Sequence, residues 1–144
     1  MRALLDVNVI IALLDGGHLM HRAAHRWLKR EEKNGWATCP ITQNGVLRIM
    51  AQPSYPNAQP AAKIASRLQE ACRDPSHAFW PDEISLMDVG VIHWNRILGH
   101  RQITDAYLFA TAIARGGRLV TFDNRINISM IPAAKPEQLC VISE

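Results

Sequence analysis

Short apolar runs alternate along this chain with longer stretches of helical periodicity. Five of these runs have the length and composition of buried strands. A succession of strand, helix and strand is typical of α/β folds with a parallel sheet. The predicted strands cover residues 3–5, 36–39, 77–80, 118–121 and 139–142. At 144 residues the chain has the size of one domain, which is expected to span 1–144.

The segments between the strands carry either helical patterns or turn residues. Residues 106–114 are apolar on nearly every side, which indicates a helix buried on most of its surface. The predicted helices cover residues 7–14, 18–33, 42–50, 61–73 and 103–115. The proline-rich segment 52–60 and the segment 82–101 are expected to be irregular, and 124–137 is left unassigned.

The composition excludes several classes of protein. Apolar residues make up 48% of the chain, more than a disordered segment contains. No apolar run reaches the roughly 18 residues that a membrane-spanning helix needs. Asp6 and Asn8 interrupt the only run that could pass for a signal peptide. The sequence therefore predicts a protein without a membrane segment.

Cysteine spacing bears on the expected cellular compartment, and net charge bears on the kind of partner the protein can bind. Cys39, Cys72 and Cys140 are odd in number and form no C-x-x-C pair, so neither a disulfide scaffold nor a zinc site is indicated. Reduced thiols are typical of cytoplasmic proteins, and a cytoplasmic location is expected. The net charge of +3 permits an anionic partner but does not establish one.

Three aspartates are predicted to gather at one edge of the sheet. Asp6 follows the first predicted strand, and Asp123 comes two residues after the fourth. Because ligands bind outside the carboxyl ends of parallel strands, these two carboxylates share a rim if their strands are neighbours. Asp105 opens the buried helix, behind Thr104 as a candidate N-cap.

Carboxylates set among apolar residues need a compensating charge. They lose hydration and repel one another unless a cation or protons are present. Mg²⁺ or Mn²⁺ with oxygen ligands meets that need, and such a site activates a water and stabilises charge on a phosphate. For each aspartate taken alone, a turn or cap role stays open, because Asp is common at both places.

Four motifs, in this order, carry a resemblance to a known family. They are L-L-D-V-N-V, T-Q-N-G-V-L-R, T-D-A-Y-L and T-F-D-N-R. This ordered set resembles the PIN-domain nucleases, and within them the VapC-type ribonuclease toxins of prokaryotic toxin–antitoxin pairs. The resemblance implies a three-layer α/β/α sandwich with five mostly parallel strands. It also implies an endoribonuclease that hydrolyses RNA with Mg²⁺ or Mn²⁺ and metal-activated water, a cognate antitoxin as partner, and a homodimer.

The resemblance assigns roles to individual residues. Asp6, Asp105 and Asp123 match the first, third and fourth acids that the family places around the metal. Asn8 matches the polar residue after the first acid, and Thr121 matches the hydroxyl two residues before the last one. Thr104, as the candidate cap before Asp105, completes the expected supporting shell.

The position of the second acid departs from the family pattern. Gln43 stands where the family usually has Glu, and Gln offers a carbonyl oxygen without a charge. The Thr42 cap places Gln43 in the first turn of its helix, on the side where Asp6 is expected. Gln43 is therefore expected in the acidic rim, with Asp82 or Glu83 as alternative sources of a fourth charge.

Basic residues supply candidates for RNA contact. His100 and Arg101 come shortly before Asp105 and are the first candidates. Arg22 and Arg26 could follow a phosphate backbone, although a solvated helix face explains them as well.

Two other functions remain as alternatives. L-L-D-V-N-V is close to the D-x-D-x-[TV] signature of haloacid-dehalogenase-type phosphatases, but Asn8 cannot serve as their second acid. A non-catalytic module that binds RNA or protein is the other alternative, and Gln43 would then mark a decayed site.

Overall fold

A five-stranded sheet forms the centre of the computed structural model, which describes residues 1–144. The strands are β1 (Ala3–Leu5), β2 (Trp36–Thr38), β3 (His77–Phe79), β4 (Arg118–Thr121) and β5 (Leu139–Val141). They lie in the order β3-β2-β1-β4-β5, and every neighbouring pair is parallel. The predicted parallel α/β sheet is confirmed, with β1 between β2 and β4. Predicted and observed strand ends differ by one residue at most.

Five helices cover the two faces of the sheet. They are α1 (Val7–Leu14), α2 (His21–Glu31), α3 (Pro40–Met50), α4 (Ala61–Cys72) and α5 (Ile103–Ala114). Successive strand residues point to opposite faces. Leu5 and Val120 accordingly join the core formed by α1 to α4, whereas Leu4 and Leu119 join the core formed by α5. The expected three-layer α/β/α sandwich is therefore confirmed.

The all-round apolar character of α5 has a structural cause. Leu108, Phe109 and Ala112 are fully buried. On the side away from the sheet, Ile92 and Met130 from the irregular segments close over the helix. Burial from both sides is what the sequence predicted for this stretch.

The start of α2 differs from the prediction. The helix begins at His21 and not at residue 18, because the preceding residues form a tight turn. The Asp15 carboxylate accepts from the backbone N–H of Gly17 at 2.9 Å, and Nδ1 of His18 accepts from the N–H of Met20 at 3.0 Å. These side-chain bonds compete with helical ones and delay the helix by about one turn.

The two predicted threonine caps are also corrected. Helix α3 begins at Pro40, and Cys39 is its N-cap residue. The Thr42 hydroxyl lies at the third helical position, where it accepts from the Cys39 N–H at 2.9 Å and donates to the Cys39 carbonyl at 3.0 Å. Proline suits the first helical position, where no N–H is needed. Helix α5 begins at Ile103, so Thr104 is an exposed first-turn residue and not a cap.

The remaining segments lack long regular elements. The predicted irregular segment 82–101 contains the short 3₁₀ turn Trp94–Arg96, and a second turn, His100–Gln102, leads directly into α5. The unassigned segment 124–137 contains the 3₁₀ turn Ile128–Met130 and reaches into the turn Pro136–Gln138. No helix combines the length and the apolar character that crossing a bilayer requires.

Candidate functional site

Asp6 lies at the junction of β1 and α1 and serves as the N-cap of α1. Its Oδ1 accepts from the Val7 N–H at 2.7 Å, and its Oδ2 accepts from the Thr121 hydroxyl at 2.7 Å. The residue is only 8% exposed. Burial raises the pKa of Asp6 above the usual aspartate value, and the charge of Asp123 adds to that rise, whereas the two hydrogen bonds oppose it. A fixed, buried carboxylate therefore stands at the carboxyl edge of the sheet.

Thr121, the last residue of β4, connects two of the acids. Besides donating to Asp6, its hydroxyl accepts from the backbone N–H of Asp123 at 3.0 Å. The N–H of Asp6 in turn donates to the carbonyl of Val120 at 2.9 Å, so β1 and β4 stay paired up to the acids. The structure thus places Thr121 between Asp6 and Asp123.

Asp123 is held by a neighbouring cation. Arg125 donates from Nε to Oδ1 at 3.0 Å and from Nη2 to Oδ2 at 2.9 Å. This contact keeps the pKa of Asp123 below the usual aspartate range. Asp123 is consequently ionised at neutral pH.

Asp105 has a different environment. It lies in the first turn of α5, half-buried, and its carboxylate accepts no hydrogen bond within the chain. Burial, followed by the charges of Asp6 and Asp123, raises the pKa of Asp105 to about 6. The structure therefore brings the three predicted aspartates close enough for each to feel another's charge.

The carboxylate side chains of these three residues are of the type that binds divalent cations. Mg²⁺ and Mn²⁺ prefer carboxylate oxygens, and Asp105 has both of its oxygens free. Burial and, after it, repulsion by Asp6 and Asp123 raise the pKa of Asp105, and a bound cation would offset both effects. No three His, Cys, Asp or Glu side chains are gathered tightly enough to form a ready coordination shell. Asp123 stays bound to Arg125.

Two grooves meet at Asp105. The first groove, of about 420 Å³, lies between the N-termini of α1 and α5 and one face of α3. Its polar lining consists of Asp6, Asn8, Asn44, Arg48, Thr104 and Asp105. The second groove, of about 350 Å³, lies on the other side of Asp105. It is lined by Leu98, Gly99, His100, Arg101, Gln102, Asp105, Asp123 and Arg125.

Gln43 does not line either groove, contrary to expectation. Its amide nitrogen donates to the Thr38 hydroxyl at 3.0 Å, at the end of β2. The residues of α3 that line the first groove are instead Asn44 and Arg48, which lie four residues apart on one face of the helix. The neutral residue that α3 contributes beside the aspartates is Asn44.

The other sequence candidates divide between site and surface. His100 and Arg101 line the second groove, as their spacing before Asp105 indicated. Arg22 and Arg26 lie instead on a basic surface of α2 that contains no carboxylate. Glu83, an alternative fourth acid, pairs with Arg115 at 3.0 Å and lines neither groove. Asp82 lines neither groove either; its charge acts on the Cys39 thiol and the Tyr107 phenol.

The polar groove residues that the sequence analysis missed include Asn44, Arg48 and Arg125. Asn44 and Arg48 are four residues apart, which puts them on one face of a helix. Pro40, as a first helical residue, would have given the correct helix start and hence that face. Arg125 is the last residue of the motif T-F-D-N-R, but the motif alone does not assign it a role.

Comparison with known proteins agrees with this arrangement. A family model for the PIN domain matches residues 3–128. The chain belongs to the PIN domain family. The matched region of this PIN domain protein contains all three aspartates and both grooves, so the family indicated by the four motifs is confirmed.

Relatives of this PIN domain protein include mycobacterial ribonucleases. Ribonuclease VapC44 of Mycobacterium tuberculosis is 43% identical over 142 residues, which cover 99% of this chain and 100% of the relative. Ribonuclease VapC39 of the same species is also 43% identical, over 85% of this chain and 89% of its own length. Ribonuclease VapC29 is 41% identical, over 86% and 87%.

A solved structure supports the PIN domain fold. The crystal structure of VapBC2 from Rickettsia felis, bound to a DNA fragment from its promoter, matches with a TM-score of 0.61. The match covers 99% of this chain and 100% of the compared chain at 14% sequence identity. At that identity the match bears on the fold alone.

Proposed function

We propose that this PIN domain protein is a Mg²⁺- or Mn²⁺-dependent endoribonuclease and the toxin of a toxin–antitoxin pair. The observation that carries the proposal is the placement of Asp6 and Asp105 in one groove and of Asp105 and Asp123 in the adjoining groove, at the carboxyl edge of the sheet. Relatives that align over nearly the whole chain are named ribonucleases.

The proposed chemistry assigns a task to each side chain. Asp6, Asp105 and Asp123 would hold the cation, which when bound lowers the pKa of a water and offsets charge on the scissile phosphate. Thr121 fixes the orientation of Asp6 through its hydroxyl. Asn44 and Thr104 can hydrogen-bond an RNA phosphate or hydroxyl from the wall of the first groove.

Partner and location follow from the same proposal. The named relatives are of the VapC type, which supports a cognate antitoxin as partner. The proposal includes a homodimer, which the family resemblance implies. It also includes a cytoplasmic location, where the three free cysteines would stay reduced.

The two alternative functions lose their support. The non-catalytic binding module depended on Gln43 as the sign of a decayed site. The Gln43 amide hydrogen-bonds to Thr38, and the three aspartates are all present. A haloacid-dehalogenase-type phosphatase does not agree with a PIN domain match over residues 3–128.

The test measures cleavage of single-stranded RNA by purified protein. Wild type with Mn²⁺ or Mg²⁺ should cleave, and excess EDTA should stop the reaction. Asp6→Asn keeps the cap geometry of α1 but removes a charge, and it should reduce cleavage by at least about 100-fold, the scale of losing one charged catalytic group. Equal cleavage by wild type with and without EDTA would contradict the proposal. Co-expression with the protein encoded by the neighbouring gene tests the antitoxin.

A further inference from the structure

Asp105 is the one residue that both grooves share. The first groove contains Asp6 and Asp105, and the second contains Asp105 and Asp123. The three carboxylates therefore line two adjoining grooves that have Asp105 and no other residue in common. A linear substrate that passes Asp105 has room on both sides of it.

Each groove contains an arginine without an acidic partner. Arg48 is an exposed residue of α3 in the first groove, and Arg101 is an exposed residue in the second. Neither belongs to any of the ion pairs of the structure, whereas Arg125 is paired with Asp123. An unpaired guanidinium beside a carboxylate cluster is a ready partner for a phosphate, which it binds with two parallel hydrogen bonds.

The dimensions of the grooves favour a single strand. Their volumes of about 420 and 350 Å³ lie at the lower end of the range for small-ligand pockets. One or two nucleotides fit such a groove, whereas a duplex presents a broad and rigid surface. Unpaired bases can also turn toward protein side chains, which stacked duplex bases cannot.

We propose that the first and second grooves form one track for a single RNA strand, in which Arg48 and Arg101 bind phosphates on opposite sides of Asp105. This inference rests on the proposed nuclease function and adds the path of the substrate. Asn44, one helical turn before Arg48, faces the same groove and supplies an amide to the strand. The basic surface of α2 around Arg22 and Arg26 lies outside the track.

Binding is measured without cleavage, by fluorescence anisotropy of a short unstructured RNA in EDTA over a range of salt concentrations. Each phosphate contact contributes about 0.7 to the slope of log affinity against log salt for a single strand. Arg48→Gln and Arg101→Gln should each weaken binding and reduce the slope by about that amount, and the double variant by about twice as much. Replacement by Lys should retain most of the slope, because the charge remains.

Lys63→Gln provides the matched control, because Lys63 is exposed on α4, unpaired and outside both grooves. It removes the same charge and should leave the slope at the wild-type value. Arg22→Gln tests the basic surface of α2. A slope that falls in Arg22→Gln but not in Arg48→Gln and Arg101→Gln would overturn the track.

Failure of the track and failure of the nuclease function give different results. Wild type that cleaves RNA with Mn²⁺, while Arg48→Gln and Arg101→Gln bind RNA like wild type, overturns the track and leaves the nuclease function standing. Wild type that binds RNA through both arginines but leaves it intact with Mn²⁺ supports the track and overturns the nuclease function. Wild type that neither binds RNA in EDTA nor cleaves it with Mn²⁺ overturns both.

Discussion

The guanidinium of Arg125 occupies both carboxylate oxygens of Asp123, with Nε 3.0 Å from Oδ1 and Nη2 2.9 Å from Oδ2. The backbone N–H of Arg125 donates to Oδ1 as well, at 2.9 Å. Asp105, at the same edge of the sheet, accepts no such bond. The chain therefore carries its own cation on one acid, which competes with an added one.

Arg125→Gln should tighten Mn²⁺ binding to the RNA-free protein. Exposed ion pairs are weak because water screens them, so removing this competitor should improve the affinity for Mn²⁺ by a few-fold at most. Titration calorimetry measures the change. Arg101→Gln is the control, since it removes an unpaired charge from the same groove. An equal effect of both variants would show that the Asp123 contact does not compete with the metal.

Asp105→Asn should stabilise the metal-free protein at neutral pH. The pKa of Asp105 is about 6 in the folded chain and 3.8 in the unfolded one. The folded state therefore binds more protons between these values, and its stability falls as pH rises through that window. In EDTA the variant should melt about 2–4 °C above wild type near pH 7.5 and lose this advantage near pH 4.

Melting curves at the two pH values check this expectation. Asp88→Asn is the control, because Asp88 is exposed and lines neither groove. It reports the effect of replacing an exposed aspartate that lies away from the three others. An Asp105→Asn difference that does not change with pH would contradict the electrostatic coupling of the three aspartates.

The variants Asn44→Asp and Gln43→Glu test which of the two positions could contribute a fourth acid to the metal site. Asn44 lines the first groove, so a carboxylate there should tighten Mn²⁺ binding. The Gln43 amide donates to the Thr38 hydroxyl, so a carboxylate at that position would lose this bond without adding a groove ligand. We expect Gln43→Glu to leave metal affinity unchanged and to cost about 1 kcal/mol of stability. Tighter metal binding in Gln43→Glu would instead place this residue at the site, as the family pattern indicates.

Gly45→Ala should disturb the contact between α1 and α3. A Cβ at Gly45 would lie 2.8 Å from Cγ2 of Val7, closer than carbon atoms approach. Overpacking costs about 1–3 kcal/mol and outweighs the gain of up to about 1 kcal/mol from Ala in a helix. In a Val7→Ala background the same change should become stabilising. Urea denaturation of the four proteins measures the coupling, and Gly16→Ala, with open space around it, is the control.

Much of the fold follows from local sequence patterns. Parallel strands and the buried helix α5 leave clear signals, because their side chains are apolar at period two or on every side. The positions of Asp6 and Asp123 follow from the same signals, since each acid comes at a strand end. Wrong helix starts account for most of the errors: placing the start of α3 at Thr42 instead of Pro40 rotated the face of that helix.

Contacts between distant or exposed residues left no such signal. The bond from Gln43 to Thr38 depends on how α3 lies against β2, which local periodicity does not determine. The ion pair of Arg125 and Asp123 depends on the conformation of a turn at the surface. The grooves on both sides of Asp105 exist only because three helices and two loops meet there.

The hydroxyl of Thr121 links Asp6 to the N–H of Asp123, and this link has a consequence for biosynthesis. Asp6 precedes Thr121 and Asp123 by more than a hundred residues, so its partners are synthesised much later. β1 cannot pair with β4 until both have left the ribosome. A growing chain therefore carries scattered aspartates and no assembled site. If the protein cuts RNA, the translation machinery that makes it is exposed to the activity only after β4 and Asp123 have left the ribosome.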